Sequence, residues 1–236
     1  MELFLATREK NKEKVREILR QDIDVNDGNS SNYNWTSLHY ACYKGYIEIV
    51  KLLMQDQRID VNKQNEYGWT PFCVACANGQ TEVVKYMTQD ERVDVNKQSK
   101  YGYTPFYIAC ENGHTEVVKH MMQDERVDAN QPDNDNTTPI WTACNYNDTR
   151  VVQAILQSGR YINLDAKEKY ENKTALELAR QKGHQKIVNL FTEYISNFLK
   201  SQFQAGKLEI IQQSLKAHIT ILLSLFSTYH NLTSIK

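Results

Sequence analysis

Asparagine recurs at positions 62, 96 and 130, a step of 34 residues each time. Two near-copies lie between these points: KQNEYGWTPFCVACANGQTEVVKYMTQDERVDVN over 63–96 and KQSKYGYTPFYIACENGHTEVVKHMMQDERVDAN over 97–130. One step back, NWTSLHYACYKGYIEIVKLLMQDQRIDVN ends at Asn62. One step forward, NTTPIWTACNYNDTRVVQAILQSGRYIN ends at Asn163, and a further copy opens at Thr174 as TALELARQKGHQKIVNLF. A fixed period of this size restricts a chain to like units that bury their apolar faces against their neighbours.

Each unit parses the same way. Thr36, Thr70, Thr104, Thr138 and Thr174 precede a short apolar segment, where a hydroxyl can accept from an orphan N–H of the first helical turn. Pro71, Pro105 and Pro139 follow in that turn, where the missing N–H costs nothing. The second helix carries apolar pairs such as Val117-Val118 and Met121-Met122. Glu48/Lys51, Glu82/Lys85 and Glu116/Lys119 stand three apart and are expected to pair on its solvent side. Gly45, Gly79, Gly113 and Gly183 fall between the two helices, and Gly68 and Gly102 fall two residues before the capping Thr. The remaining glycines, Gly28, Gly159 and Gly206, also fall at turns, so positive φ is expected at every glycine. Asn34, Asn136, Asn147 and Asn172 stand in for Gly elsewhere.

The pattern Gly-x-Thr-Pro-Phe-x-x-Ala-Cys-x-Asn-Gly-x-x-Glu-Val-Val, then Asp-Val-Asn, resembles the ankyrin repeat, most clearly from Asp27 to Phe191. The resemblance implies an all-α solenoid of stacked helix pairs joined by hairpin-like loops. The units are expected at 1–26 (an N-terminal cap), 27–62, 63–96, 97–130, 131–165 and 166–197. The segment 198–236 is expected to be a degenerate repeat or a capping helix. Two departures stand out. The loop after the second helix lacks the family's Gly and reads Asp-Gln-Arg-Ile-Asp over 56–60 and Asp-Glu-Arg-Val-Asp over 90–94 and 124–128, one residue longer. The family's His after Thr-Pro-Leu survives only as His39, with Cys73, Tyr107, Trp141 and Glu177 in its place later.

The chemistry-bearing residues do not converge. Cys42, Cys76, Cys110 and Cys144 are 34 apart. Equivalent positions on stacked helices lie about 8–10 Å apart, too far for disulfides or one tetrahedral metal site. They are expected to be buried, reduced core thiols. Cys73-x-x-Cys76 lies on a first helix without a second pair. Neither a phosphate-binding Gly loop nor a nucleophile elbow is present. The chain is therefore expected to be no enzyme and to use no cofactor or metal. Its 28 basic and 29 acidic residues argue against a nucleic-acid partner.

The informative surface signal is aromatic. Tyr33, Tyr67 and Tyr101 recur three residues before the Thr, and Trp35, Trp69 and Tyr103 directly before it. In the family these positions are hairpin tips on the concave side, so the six rings are expected to line up as a protein-binding stripe; the alternative is that they pack on neighbouring hairpins. The function implied is a protein–protein interaction scaffold. The alternative is a regulatory or targeting subunit of an enzyme or membrane complex, anchored by the apolar segment 208–226. That segment is too short to span a bilayer, and it reads as a cap, a dimer helix or a partner-binding helix. A monomer is expected, with dimerisation through this segment as the alternative. The location expected is intracellular, in the cytoplasm, with the nucleus left open.

Overall fold

The computed structural model describes residues 1–204, and among them it is helical throughout apart from one isolated bridge between Asn29 and Trp35. The chain divides into two units, Met1–Ile187 and a second from Val188 onward. The first unit is a series of helix pairs: α1 (Glu2–Arg8) with α2 (Lys12–Leu19), α3 (Ser37–Lys44) with α4 (Ile47–Gln55), and α5 (Pro71–Ala77) with α6 (Thr81–Met87). Next come α7 (Pro105–Glu111) with α8 (Thr115–Met121), α9 (Pro139–Asn145) with α10 (Thr149–Leu156), and α11 (Ala175–Gln181). First helices pack on first helices, α1–α3–α5–α7–α9–α11, and second on second, α2–α4–α6–α8–α10. The last helix, α12 (Gln185–Gln204), runs through residue 198, where the sequence suggests a terminal segment begins. The apolar segment 208–226, and with it the cap, dimer and anchor readings, lies outside the described residues, as does Gly206.

The caps form as the sequence predicts. Thr70, Thr104 and Thr138 accept from the backbone N–H of Cys73, Tyr107 and Trp141, and Pro stands in the first turn each time. Thr36 and Thr174 go further and make reciprocal capping boxes with His39 and Glu177. The three Glu–Lys pairs close at 3.2, 3.0 and 2.8 Å on the exposed side of α4, α6 and α8. Gly68 has φ +78°, and a Cβ there would also stand 2.7 Å from the Lys100 nitrogen. Gly28 departs from the expectation: it has no positive φ, and what it needs is room, since a Cβ would stand 2.9 Å from the Asn34 carbonyl oxygen.

Leu38, Val50, Leu53, Phe72, Val84, Phe106, Val118, Ile140 and Val152 fill the core. The thiols run through it. All five cysteines are buried and free. Cys42 Sγ lies 3.5 Å from Met87 Sδ, and Cys76 Sγ lies 3.7 Å from Met121 Sδ, so each thiol rests on the methionine one second helix further along. Burial pushes Cys73 up to about 12 and raises the others, which keeps them as neutral thiols.

The loop that departs from the family pattern has its own function in the stack. Arg92 chelates Asp90, two residues before it, and donates to the Met54 carbonyl at 2.7 Å. Arg126 does the same with Asp124 and the Thr88 carbonyl, and Arg58 with Asp56 and the Leu19 and Gln21 carbonyls. Each guanidinium thus satisfies orphan carbonyls at the C-terminal end of the preceding second helix, where a cation is also favoured by the helix dipole. An asparagine ladder runs beside it: Asn62 donates to the Arg92 carbonyl and accepts from the Asp94 N–H, and Asn26, Asn96 and Asn130 repeat the pattern.

Candidate partner-binding face

Every hairpin tip is a turn wound around one polar side chain. Asn65 Oδ1 accepts from the N–H of both Tyr67 and Trp69, each at 2.9 Å. Ser99 serves Tyr101 and Tyr103, Asp133 serves Asp135 and Thr137, and Glu168 serves Tyr170 and Glu171. Asn65, Ser99 and Glu168 are buried. Each tip is then tied to the next through the backbone. Tyr33, Tyr67, Tyr101 and Asp135 carbonyls accept from Glu66, Lys100, Asn134 and Lys169 at 3.0 to 3.2 Å. The first tip differs from the others in carrying a short 3-10 turn at Ser30–Asn32.

This scaffold separates the six predicted rings into two rows. Tyr33, Tyr67 and Tyr101 are exposed, at 50%, 40% and 56%. Tyr33 and Tyr67 touch, with ring centroids 5.0 Å apart and the planes tilted by 48°. Trp35, Trp69 and Tyr103 are half-buried. Trp35 packs edge-on against Tyr43 at 5.4 Å, and Tyr103 stacks on Tyr107 at 4.8 Å with the planes 7° apart. The inner row is therefore a shared structural and surface layer, while the outer row projects into solvent.

The sequence singled out none of Tyr40, Tyr43, Tyr46 and Tyr146 for this face, and marked Tyr107 only as standing where the family has its His. The first three form a cluster with Trp35 and Phe4. Lys44 lies over the Tyr43 ring at 4.5 Å and Lys10 over Tyr46 at 4.9 Å. The signal was present as aromatic density in YNWTSLHYACYKGY (33–46), but one unit alone shows no recurrence. Beyond Tyr103 the tips turn polar. Asp135 is met from within by Lys169 at 3.3 Å and the Tyr170 hydroxyl at 2.9 Å.

The substitutes for His39 keep part of its work. His39 Nε2 reaches the Trp69 carbonyl in the next unit, and Trp141 Nε1 reaches the equivalent Lys173 carbonyl at 3.2 Å. Tyr107 instead supports the Tyr103 ring of its own tip by stacking. His114 and His184 serve the helix–helix turns, at 2.9 Å from the Ala77 and Cys144 carbonyls. Among the described residues no cluster of His, Cys, Asp or Glu could hold a metal ion. An open groove of about 540 Å³ follows α8 and α10, lined among others by His114, Lys119, Arg150 and Gln153; Lys119 there is already paired with Glu116.

With helix pairs, capped first helices and tied tips in place, a family model for ankyrin repeats in three copies matches residues 3–65, 57–133 and 116–201. The chain belongs to the ankyrin repeat family. Among solved structures it is similar to EF0377, an ankyrin repeat protein, at TM-score 0.75 and 28% identity, over 82% of this chain and 97% of that one. It is also similar to the ankyrin repeat domain of Bcl-3, described as a unique member of the IkappaB protein family. That likeness has TM-score 0.73 and 20% identity, over 82% and 86% of the two chains, and shows the fold alone. A comparison with curated protein sequences gives no match. Ankyrin repeats generally mediate protein–protein interaction, and nothing in the two neighbours' descriptions specifies a partner for this chain. Among the described residues no helix is long and apolar enough to cross a membrane.

Proposed function

We propose that this ankyrin protein is a non-catalytic intracellular scaffold that binds a protein partner on the face carried by its first helices and hairpin tips. Tyr33, Trp35, Tyr67, Trp69, Tyr101 and Tyr103 supply the aromatic contacts. The observation that carries the reading is the contrast between exposed rings and fixed backbone: Tyr33, Tyr67 and Tyr101 stand in solvent while their own carbonyls are held by the next tip. Large rings on an immobile frame lose little conformational entropy on binding. The free thiols fit a reducing compartment.

The test is affinity capture with the wild type beside a Y33A/Y67A/Y101A variant, followed by titration of whatever protein is retained. Removing a central aromatic contact costs ~2 kcal/mol or more, which is about thirtyfold in affinity. The exposed tyrosines are expected to lose that binding with the melting curve nearly unchanged. A W35A/W69A/Y103A variant is expected to lose stability as well, since those rings are half-buried. Full retention of the partner by the tyrosine variant would remove the tips from the binding surface.

A further inference from the structure

One recurrent position faces the seam between each second helix and the one before it. Leu52, Tyr86, His120 and Ala154 stand there, 34 residues apart. Tyr86 of α6 meets the preceding helix, with Lys51 Nζ of α4 5.9 Å from its ring centroid. His120 of α8 does the same, its Nε2 2.8 Å from the hydroxyl of Thr88 at the end of α6. Ala154 of α10 has no side chain long enough to cross. The groove of about 540 Å³ opens at this seam, with Ala154 and the buried Val117 in its lining.

The same stripe of α10 leaves the repeat pattern at two more positions. Where α4, α6 and α8 carry the pairs Glu48–Lys51, Glu82–Lys85 and Glu116–Lys119, α10 carries Arg150 and Gln153. Arg150, Gln153, Ala154 and Gln157 are spaced i, i+3, i+4 and i+7, so they share one side of the helix, and all four line the groove. Lys119, also in the lining, is held by Glu116 at 2.8 Å. Arg150 is exposed and, among the described residues, enters no salt bridge. The groove therefore carries one uncompensated guanidinium, a planar fork that matches a carboxylate. From Arg150 to Gln157 the stripe runs about 10 Å, the length of about three residues of extended chain. Gln153 donates to Gln157 Oε1 at 3.4 Å, and such side-chain amides offer the donors and acceptors that a peptide main chain needs. An open groove suits an extended segment better than a small molecule, which is bound by enclosure.

We propose that this groove docks an extended acidic segment of a second protein, with a glutamate carboxylate of the segment on the Arg150 guanidinium and its neighbouring residues against Val117 and Ala154. None of the groove residues belongs to the hairpin tips. This surface is therefore additional to the aromatic face, and either reading can fail alone.

The experiment uses the full ¹⁵N-labelled chain and the peptide acetyl-Gly-Ala-Glu-Ala-Gly-amide at constant ionic strength, with the Glu→Gln peptide and inorganic phosphate as comparisons. Backbone amide shifts of Val117, Arg150 and Ala154 are followed during titration. The glutamate peptide is expected to saturate them with a Kd of about 1 mM, and titration to about 10 mM covers that range. The glutamine peptide is expected to bind at least about tenfold more weakly. Arg150→Glu restores the residue that α4, α6 and α8 carry at this position and is expected to cost at least about tenfold as well. Ala154→His restores the side chain of α8, keeps the Arg150 charge and is expected to weaken binding severalfold by filling the groove. The repeat already accepts both residues at these positions, and amide shifts away from α8 and α10 check that each variant is folded. Absence of saturating shifts at the three amides, equal binding of the two peptides, binding of phosphate as tight as that of the glutamate peptide, or unchanged binding by either variant would overturn the proposal.

Discussion

His39 Nε2 stands 2.9 Å from the Trp69 carbonyl oxygen, in the next unit of the stack. A carbonyl can only accept, so Nε2 carries the proton, and Nδ1 is left to accept from the Thr36 N–H at 3.1 Å. The neutral ring thereby joins one unit's helix cap to the next unit's tip.

Protonation of His39 would break that arrangement, because Nδ1 would face an N–H as a second donor. Burial holds the ring down to about 4, against the Trp69 hydrogen bond and the Asp60 charge, which act upward. The folded state therefore binds this proton less readily than the unfolded chain. Its contribution is complete above about pH 6.5 and is lost as the pH falls toward 4, by roughly 3 kcal/mol at 1.36 kcal/mol per unit. Cys73 occupies the same position one unit on, so His39→Cys is a tolerated exchange to compare. The stability gap between wild type and variant, measured by urea unfolding, is expected to narrow by about that amount from pH 6.5 to 4. Parallel pH profiles for the two proteins would refute the assignment.

The arginine clip offers a second check. Arg92 is half-buried, chelates Asp90 and donates to the Met54 carbonyl. Arg92→Ala leaves that carbonyl without a protein donor and is expected to cost about 1–2 kcal/mol. Arg92→Lys is expected to lose most of the same, because one ammonium cannot both chelate Asp90 and reach α4. If denaturant melts place Arg92→Lys within a few tenths of a kcal/mol of wild type, the fork geometry contributes nothing.

The fold was legible because its signals repeat: Thr70, Thr104 and Thr138 as caps, Pro behind them, and Asn136, Asn147 and Asn172 at positive φ. What stayed hidden lies across the 34-residue step rather than along it. Arg58, Arg92 and Arg126 recur visibly, but a sequence does not say that their forks close on carbonyls of the preceding unit. Asn65, Ser99, Asp133 and Glu168 serve one role with four residue types, so no pattern marks them. In the candidate face the exposed tyrosine row could be anticipated, but not the division between rows. Whether Trp35 or Tyr103 is covered depends on Tyr43 and Tyr107, which sit on the adjoining first helices.

The final prediction concerns the first helix pair. α1 and α2 bury Leu3, Phe4, Ala6, Val15 and Ile18 against the stack, with α1 on α3 and α2 on α4. Phe4 meets the Tyr40 ring edge-on at 5.4 Å, Lys12 reaches Glu48 at 3.0 Å, and Arg58 reaches back to the Leu19 and Gln21 carbonyls. In a stack of nearest neighbours, loss of an end unit removes one interface and bares the next apolar face. Deletion of residues 1–26 is therefore expected to expose Ala41, Cys42 and Val50, now fully buried, to water. A lost interface worth about 3 kcal/mol would lower Tm by roughly 6–12 °C in a chain of this size. The exposed Lys12–Glu48 ion pair contributes little of this, so the drop is expected to persist at high salt. A truncated protein that melts with the wild type would show that α1 and α2 do not cap the stack, and a drop abolished by salt would mean that charge rather than apolar burial holds them in place.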